Sequence, residues 1–203
     1  MLKTYSSVKR LFDFIVSLTC LIFFSPLLLI VCLLVLLNMG SPIFITQKRL
    51  GFLGAPFYLL KFRSMTFDVD SNNILLPDNK RITRLGSFLR STSIDELPSL
   101  INILHGSMSF VGPRPLPVKY LKRFNDYQLK RMNVKPGLTG LAQINGRNQT
   151  TWAKRFFYDL EYVKKQSLIL DIIILTKTVF SVLLKSGISN SSETTMPEFT
   201  GDN

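Results

Sequence analysis

The chain has 203 residues, enough for one domain with a moderate core once a membrane segment is set aside. Its 25 Lys and Arg residues against 13 Asp and Glu residues give a formal charge of +12, which suits anionic lipid headgroups, phosphorylated substrates or nucleic acid. The two cysteines, Cys20 and Cys32, lie in an apolar run, so the sequence excludes a disulfide framework and shows no metal-ligand spacing.

A charge-free run covers residues 14–47 and contains a Ser25-Pro26 pair within its most apolar part. A straight helix over residues 14–37 would be about 36 Å long, enough to cross a bilayer core of about 30 Å. Pro26, however, removes a backbone donor and clashes with the preceding turn. The run therefore predicts two apolar half-helices that each reach only the middle of a bilayer.

Basic residues flank this run on both sides, and such flanks favour the cytoplasmic face. Both ends are thus expected on one face, and residues 1–40 are predicted to form a re-entrant membrane hairpin. A spanning helix with a tolerated proline kink is the main alternative, because neighbouring groups can satisfy the freed carbonyl. The length of the run argues against a cleaved signal peptide and against a buried core helix.

Short elements are predicted beyond the hairpin. Residues 42–47 and 57–62 are rich in β-branched and aromatic side chains and predict a β-hairpin around a glycine-containing turn. Helical patterns follow at residues 81–104, in two stretches joined near 91–93 and ended by Gly106, and at residues 118–132 and 151–163. The fold class expected is therefore mixed α/β and mostly helical, with a small catalytic domain at residues 41–188.

The last apolar segment, residues 168–184, is interrupted by Asp171 and Lys177. Such a pattern is more typical of an amphipathic helix lying in the membrane interface than of a second span. Residues 189–203 are polar and poor in large apolar side chains, so they are predicted to form a mobile tail.

Two adjacent carboxylates, Asp95 and Glu96, stand at a predicted helix start. On an α-helix they would point about 100° apart, so one could attack or be attacked while the other binds a metal or moves a proton. Ser93 and Glu96 also have the spacing of a capping box, and acidic residues are favoured in a first helical turn. From spacing alone, a helix-capping role for these residues is favoured over a catalytic role.

Two later loops have features of phosphate sites. Arg114 lies between prolines in residues 109–115, where a stiff backbone could pre-position a bidentate donor. Residues 136–148 contain three glycines that would let backbone amides approach a pyrophosphate. Either loop could be ordinary turn structure, and neither contains a Walker P-loop or a dinucleotide fingerprint.

Taken together, these stretches resemble the bacterial sugar transferases, the monotopic polyprenyl-phosphate phosphoglycosyl transferases that begin surface-glycan and glycoprotein assembly. The matching motifs occur in the family's order at residues 10–13, 61–65, 93–97, 109–115, 136–148 and 159–163. The resemblance extends to about Gly187. It matches the short form of the family, a membrane hairpin plus a catalytic domain without the additional transmembrane bundle of longer relatives.

The resemblance implies transfer of a sugar 1-phosphate from a UDP-sugar to undecaprenyl phosphate, with release of UMP, at the cytoplasmic face of the bacterial inner membrane. By motif match, Asp95 would be the nucleophile that forms a covalent phosphosugar ester. Glu96 would hold Mg²⁺ or assist proton transfer. The expected phosphate or nucleotide contacts are Arg114, Lys61, Arg90 and Arg147.

Asp159 matches a further acid of the family, as a substrate contact or as a structural residue. Ser107 and Glu161 depart from the family pattern, so no function is assigned to them. The expected partners are the two substrates and membrane lipids, with a homodimer as one option and no nucleic acid, because no such binding motif is present. The alternative is a basic, membrane-anchored binding or scaffold protein in which Asp95 and Glu96 only cap a helix.

Overall fold

The structure is a computed structural model that describes residues 2–146, 151–183 and 198–201. Within these ranges the chain is mostly helical, with two small two-stranded sheets. This confirms the predicted fold class at the level of secondary structure. The predicted contact Arg147 and most of the predicted tail, residues 189–197 and 202–203, lie outside the described residues.

The N-terminal run forms two helices, α1 (Leu2–Phe23) and α2 (Ser25–Met39), bent by 62° at the break. Pro26 stands in the first turn of α2, where its missing N–H costs no helical hydrogen bond. Among the described residues, the length and hydropathy needed for a bilayer crossing are met by no unbroken helix, although this bent pair meets them jointly. The predicted break at Ser25-Pro26 is confirmed.

One side of this helical pair packs on the domain, and the other carries exposed apolar side chains. Val31 and Val35 of α2 are buried with Phe62 and Leu89. Large apolar side chains on the outer side are more than half exposed, namely Ile22, Phe23, Leu29, Ile30, Leu33 and Leu37. Contiguous exposed apolar surface of this kind marks a contact with a membrane or another protein.

The RLFD motif at residues 10–13 fastens α1 to the domain. Arg10 donates hydrogen bonds of 2.7 Å to the carbonyl oxygens of Ile103 and Leu104, the last turn of a helix. The buried Asp13 carboxylate accepts a hydrogen bond of 3.1 Å from the Phe110 amide. The motif therefore satisfies orphan carbonyls at a helix end and fixes the start of the hairpin against two later elements.

The predicted β-hairpin is confirmed as strands β1 (Phe44–Leu50) and β2 (Pro56–Phe62), paired antiparallel with Gln47 opposite Leu59. A 3₁₀ turn at Phe52–Gly54 connects them. Exposure alternates along β1, so every second side chain faces the domain. Arg49 lies on that inner side.

The two predicted helical stretches within residues 81–104 are present as α4 (Arg84–Ser91) and α5 (Leu100–His105), and a short helix that was not predicted, α3 (Asp78–Arg81), precedes them. Between α4 and α5 lies a 3₁₀ helix, Ile94–Ser99. Gly106 ends α5 in the left-handed conformation with φ 88°.

The predicted helix over residues 118–132 is wrong. This segment is divided into a 3₁₀ helix Val118–Arg123, a short α6 (Asp126–Leu129) and a second 3₁₀ helix Lys130–Asn133. Asn125 forms a capping box with Gln128, in which each side chain bonds the other residue's backbone. This capping box starts a new helix at Asp126, within a segment that the apolar spacing predicted to be one unbroken helix.

The two loops with phosphate-site features lie side by side. Each begins with a short strand, β3 (Ser109–Val111) and β4 (Gly137–Thr139), and the two pair in parallel. A Cβ atom on Gly137 would come within 2.1 Å of the Gly112 amide nitrogen. Glycine is therefore required for this close backbone approach. A single turn, α7 (Leu141–Ile144), follows β4.

Two long helices complete the described fold, α8 (Trp152–Lys165) and α9 (Leu168–Leu183), as predicted. Asp171 of α9 is buried and accepts hydrogen bonds from Tyr5, Lys9 and Tyr162. The charge that interrupts this apolar helix thus faces α1 and α8, which leaves apolar side chains such as Ile169 and Ile172 on the exposed side.

Candidate functional site

Asp95 and Glu96 stand in the first turn of the 3₁₀ helix Ile94–Ser99, directly after Ser93 in the left-handed conformation with φ 59°. The Ser93 side chain makes no capping hydrogen bond, and the Glu96 carboxylate bonds basic side chains. The capping-box interpretation is therefore wrong. Because successive residues of a 3₁₀ helix turn by about 120°, the two carboxylates point in different directions.

Glu96 is the centre of a charge cluster. Its Oε1 atom accepts a hydrogen bond of 2.5 Å from Lys61 Nζ and one of 2.6 Å from an Arg114 terminal nitrogen. Burial by itself would raise the pKa of Glu96, but the charges of Arg114 and Lys61 outweigh it and lower the pKa to about 2. Glu96 is therefore ionised throughout the physiological pH range.

The neighbouring Asp95 has the opposite character. Its side chain is only 7% exposed, and no described residue donates a hydrogen bond to its carboxylate. Burial, followed by the charge of Glu96, raises the pKa of Asp95 to about 6 against the opposing charges of Lys61, Arg90 and Arg114. A buried carboxylate without donors is poorly solvated, which suits a nucleophile or a base.

A cavity of about 110 Å³ opens beside Glu96. Four basic side chains line it, with Glu96 as the lining carboxylate. These are Lys61 from β2, Arg114 from the loop after β3, Arg49 from β1 and Arg155 from α8. Gly137 and Leu138 of the glycine-containing loop form part of the wall. The excess of positive charge favours an anionic ligand with more than one charge.

Arg49 and Arg155 were missed by sequence reasoning. Arg49 donates a 2.6 Å hydrogen bond to Gln47, while its Nε atom is buried without a partner. Burial, aided by the charge of Arg114, lowers the pKa of Arg155 to about 10. The predicted strand, residues 42–47, ends before Arg49, and it is the alternation along the observed β1 that places Arg49 inward. For Arg155, nothing in the sequence distinguishes it from the other basic residues of α8.

Arg90 lies at the edge of the site, since its charge lowers the pKa of Asp95 but its side chain does not line the cavity. Arg90 Nε donates a 2.9 Å hydrogen bond to the Ser64 hydroxyl. A Cβ atom on Gly86 of α4 would come within 1.8 Å of the Ser64 carbonyl oxygen. This close contact holds α4, and Arg90 with it, against the end of β2.

Asp159 is not a cavity residue, which corrects its placement among the phosphate contacts. Its carboxylate is buried and accepts hydrogen bonds of 3.0 and 2.8 Å from Arg131. Arg131 also donates a 2.7 Å hydrogen bond to the carbonyl oxygen of Arg114. Asp159 therefore acts behind the cavity wall, by holding the residue that supports the Arg114 backbone.

The two departures from the family pattern are also away from the cavity. The Ser107 hydroxyl donates to the Asn102 carbonyl oxygen at 3.1 Å. Glu161 pairs with Lys165 at 2.6 Å, one turn later on α8. Both residues make local contacts of their own helix or helix end.

No group of three or more His, Cys, Asp or Glu side chains in the described part of the chain could hold a metal ion by itself. Glu96 is the one carboxylate among the described residues that line the cavity, and its Oε1 atom already accepts from two cations. Magnesium is commonly held by one or two carboxylates together with substrate phosphates and water. The residues present fit an ion that is bound with its substrate and do not form a complete cage.

Comparison with known proteins identifies the family. A family model described as bacterial sugar transferase matches residues 4–185. The chain belongs to the bacterial sugar transferase family. This confirms the family and the class of enzyme predicted from the motifs, and every described residue of the site lies inside the matched range.

Among the similar proteins is the uncharacterized sugar transferase EpsL of Bacillus subtilis, 47% identical over 96% of this chain and 96% of the relative. The UDP-glucose:undecaprenyl-phosphate glucose-1-phosphate transferase of Xanthomonas campestris is 44% identical over 86% of this chain but only 38% of its own length. The exopolysaccharide production protein ExoY of Sinorhizobium fredii is 40% identical over 88% of this chain and 87% of the relative. The similarity to the Xanthomonas enzyme thus covers a part of that longer protein.

Proposed function

We propose that this sugar transferase moves a sugar 1-phosphate from a UDP-sugar to undecaprenyl phosphate and releases UMP, as an initiating step of surface-glycan assembly. The observation that carries the proposal is the cavity lined by four basic side chains and Glu96. The buried Asp95 is not itself a lining residue, but it adjoins Glu96 in the chain and its pKa is raised to about 6. The names of the Xanthomonas, Klebsiella pneumoniae and Escherichia coli relatives, which specify this type of transfer, support it.

The reaction divides into two displacements at one phosphorus atom. In the first, an Asp95 oxygen bonds to the sugar-bearing phosphorus, and the bond from that phosphorus to the UMP oxygen breaks. In the second, an oxygen of the lipid phosphate bonds to the same phosphorus, and the bond to Asp95 breaks and restores the carboxylate. Covalent catalysis of this kind avoids bringing two anionic substrates together in one transition state.

The basic side chains of the cavity offset the charge of the pyrophosphate. Lys61 and Arg114 are held in place by Glu96, so their donors are oriented before the substrate arrives. Arg49 and Arg155 add two further cations, of which neither pairs with a carboxylate in the part of the chain that is described. Preoriented charge of this kind stabilises the developing charge on a leaving phosphate.

Glu96 would hold Mg²⁺ through Oε2, whose contact with Arg114 is 3.5 Å long, together with oxygens of the substrate. When bound, the ion would supply charge neutralisation at the phosphates. Glu96 itself orients Lys61 and Arg114 whether or not the ion is present. The low pKa of Glu96 makes it a poor proton carrier near neutral pH, so the ligand role is the better-supported of its two predicted roles.

We also propose that residues 1–40 form a re-entrant hairpin that seats residues 41–188 on the cytoplasmic face of the membrane. The 62° bend, the exposed apolar side of the helical pair and the basic flanks support this arrangement. Asp171 joins α9 to α1 through Lys9 at 2.6 Å, and both helices carry exposed apolar side chains. This arrangement suits two helices that contact one membrane surface.

Labelling of introduced cysteines in intact cells tests the hairpin. Cys20 and Cys32 are replaced by serine, and one cysteine is introduced at Ser6 or at Ser189. Both positions should resist a membrane-impermeant reagent until the cells are opened. Labelling of position 6 from outside, with position 189 protected, would show that the run spans the bilayer. Pro26→Ala should straighten the run and shift part of the population toward that span.

The transfer reaction is tested with a panel of UDP-sugars assayed for UMP release with and without undecaprenyl phosphate. One UDP-sugar should support sustained release only when the lipid phosphate is present. The same UDP-sugar alone should release about one UMP per active site and leave a sugar phosphate on the peptide containing Asp95. Ternary-complex kinetics without an adduct would indicate direct transfer, with Asp95 as a base. The scaffold alternative loses its main support, because Glu96 is not a helix cap.

A further inference from the structure

Phe199 is buried although it lies beyond residues 4–185, the range matched by the family model. Its ring centre is 5.1 to 5.7 Å from the ring centres of four aromatic side chains. These are Tyr120 and Phe124 on one side and Trp152 and Phe156 of α8 on the other. The sequence, which is polar around Phe199, predicts no such contact.

Polar contacts hold the backbone around this ring. Glu198 pairs with Lys119 at 2.7 Å and with Arg123 at 2.8 Å. Arg123 also donates a hydrogen bond to the Phe199 carbonyl oxygen, and the Phe199 amide donates one of 3.3 Å to the Tyr120 hydroxyl. The segment is thus bound to the 3₁₀ helix Val118–Arg123 while its ring contacts α8. We call residues 198–201 the C-terminal staple.

A first route joins the staple to the cavity through Trp152. The rings of Phe199 and Trp152 are 5.3 Å apart, and the Arg155 guanidinium lies 4.9 Å from the centre of the Trp152 ring. Arg155 lines the cavity. In the part of the chain that is described, no carboxylate forms an ion pair with Arg155, and the Trp152 ring contacts its guanidinium.

A second route passes through Arg131. The Arg131 guanidinium lies 6.0 Å from the ring centre of Phe124 and 5.9 Å from that of Phe156. Both of these rings contact Phe199. Arg131 donates to the carbonyl oxygen of Arg114, the residue whose side chain bonds Glu96. The staple therefore lies behind two of the four basic residues of the cavity.

We propose that the C-terminal staple is a positioning device for substrate binding, in which the Phe199 ring holds the aromatic side chains that orient Arg155 and the Arg114 backbone. This inference rests on the proposed function, because it treats both arginines as contacts of the UDP-sugar phosphates. Loss of the ring would free the Arg155 side chain to adopt other rotamers, so substrate would bind more weakly while the reaction at Asp95 is little changed.

The test compares steady-state kinetics of Phe199→Ala, Arg155→Gln and the double variant in the full-length chain. Each single change should raise the KM for the UDP-sugar by about tenfold and alter kcat less, since coupled contacts of this kind are worth factors of that size. The double variant should raise the KM by clearly less than the product of the two single factors, because a part of the Phe199 effect passes through Arg155. Phe199→Leu should restore most of the affinity by refilling the site.

Phe157→Ala is the matched control, since it removes the same ring from an exposed position of α8 and should leave the KM unchanged. Thermal unfolding of each variant is followed so that kinetics are measured only where the protein is folded. A KM that stays normal in Phe199→Ala, or a double variant whose KM rises by the full product of the two single factors, would overturn the proposed coupling between the staple and Arg155.

A further variant keeps the test decisive if Phe199→Ala does not fold. Glu198→Gln removes both ion pairs of the staple while leaving the ring in place, and it should raise the KM by a smaller factor. An unchanged KM in folded Glu198→Gln would then overturn the proposal. Failure of the unmodified chain to release UMP from any UDP-sugar contradicts the proposed transfer reaction instead, so the two failures are distinguishable.

Discussion

Two buried charge clusters are joined through the Arg114 backbone and differ in how their charges are balanced. Behind the cavity wall, Arg131 and Asp159 form a one-to-one ion pair in which each side chain is 2% exposed. At the cavity, four basic side chains surround Glu96, and Asp95 beside it receives no hydrogen bond from a described residue. In the first cluster, one positive and one negative charge balance each other. In the second, the basic side chains outnumber the carboxylates, so positive charge remains for a ligand.

Both clusters contain arginine and acidic residues, and the completeness of pairing distinguishes the charges that hold the fold from those that can bind a ligand. A buried ion pair that satisfies both partners holds the fold but offers nothing to a ligand. An incompletely paired cluster is costly unless a ligand completes it, and perturbed pKa values mark such places. Asp95, with its pKa raised to about 6, and Glu96, with its pKa lowered to about 2, are adjacent in sequence but differ in this respect.

The largest effect should follow Asp95→Asn, which tests the incompletely paired charge cluster at the cavity. Turnover should fall by about 10⁴-fold or more, because the variant lacks the proposed nucleophile. The pKa of Asp95 is raised from 3.8 to about 6 in the fold, so stability falls as the pH rises from 3.8 to about 6 and stays lower above that range. Asn removes that cost, and the melting temperature at pH 7.5 should stay equal or rise. A marked drop in the melting temperature would show that Asp95 stabilises the fold.

Asp159→Asn tests the buried ion pair between Arg131 and Asp159. Removal of one partner from the buried pair leaves Arg131 charged without its counter-ion, so the free energy of unfolding should fall by about 3 to 5 kcal/mol. Denaturant unfolding measures this loss. Turnover of the folded fraction at low temperature should fall far less than in Asp95→Asn. Equal stability with abolished turnover would place Asp159 in direct contact with substrate.

Glu96→Gln should combine both kinds of effect. It removes the counter-charge of Lys61 and Arg114 and the carboxylate proposed for Mg²⁺, so turnover should drop by about 10² to 10³-fold. In contrast to Asp95→Asn, the melting temperature should also fall, because two buried cations lose their partner. UMP release over a Mg²⁺ titration separates the roles. Full activity with reduced stability would leave Glu96 a purely structural residue.

The pH dependence sharpens the contrast between the two carboxylates. Below pH 6, kcat/KM should decrease about tenfold per pH unit, because the protonated Asp95 cannot attack phosphorus. Glu96, with its pKa at about 2, stays ionised over this range. A pH series of initial UMP release in constant ionic strength measures the acid limb. A decrease of kcat/KM that begins only near pH 4 would mean that Asp95 is an ordinary, solvated carboxylate.

The smallest expected effect concerns Arg49, whose buried Nε atom lacks a partner. Arg49→Gln should raise the KM for the UDP-sugar by about tenfold, as for the loss of one oriented charge at a phosphate site. Lys48→Gln, its neighbour on the exposed side of β1, is the matched control and should behave like the unmodified chain. Identical KM values for the two variants would remove Arg49 from the substrate site.

Much of the local structure could be predicted from the sequence. The break at Ser25-Pro26 depends on proline, whose φ is fixed and which lacks an N–H. The turn of the hairpin at Gly54 and the end of α5 at Gly106 depend on glycine, which adopts a positive φ without strain. The predicted helix over residues 118–132 failed because an Asn125 capping box outcompeted an apolar repeat. The capping box at Ser93 and Glu96 failed because Lys61 and Arg114 bind Glu96 more strongly than a backbone amide would.

By itself, the sequence determined the family and most of the elements, since motifs with restricted backbone or chemistry carry this information locally. It also predicted Asp95, Glu96, Lys61 and Arg114 as site residues, of which the structure brings Glu96, Lys61 and Arg114 together at the cavity. The tertiary structure alone decided that Arg49 and Arg155 join the cavity, that Asp159 lies behind it and that Phe199 is buried. These contacts link elements far apart in the chain. Which charge is paired or left unpaired depends on burial and on distant neighbours, and no local pattern of residues specifies either.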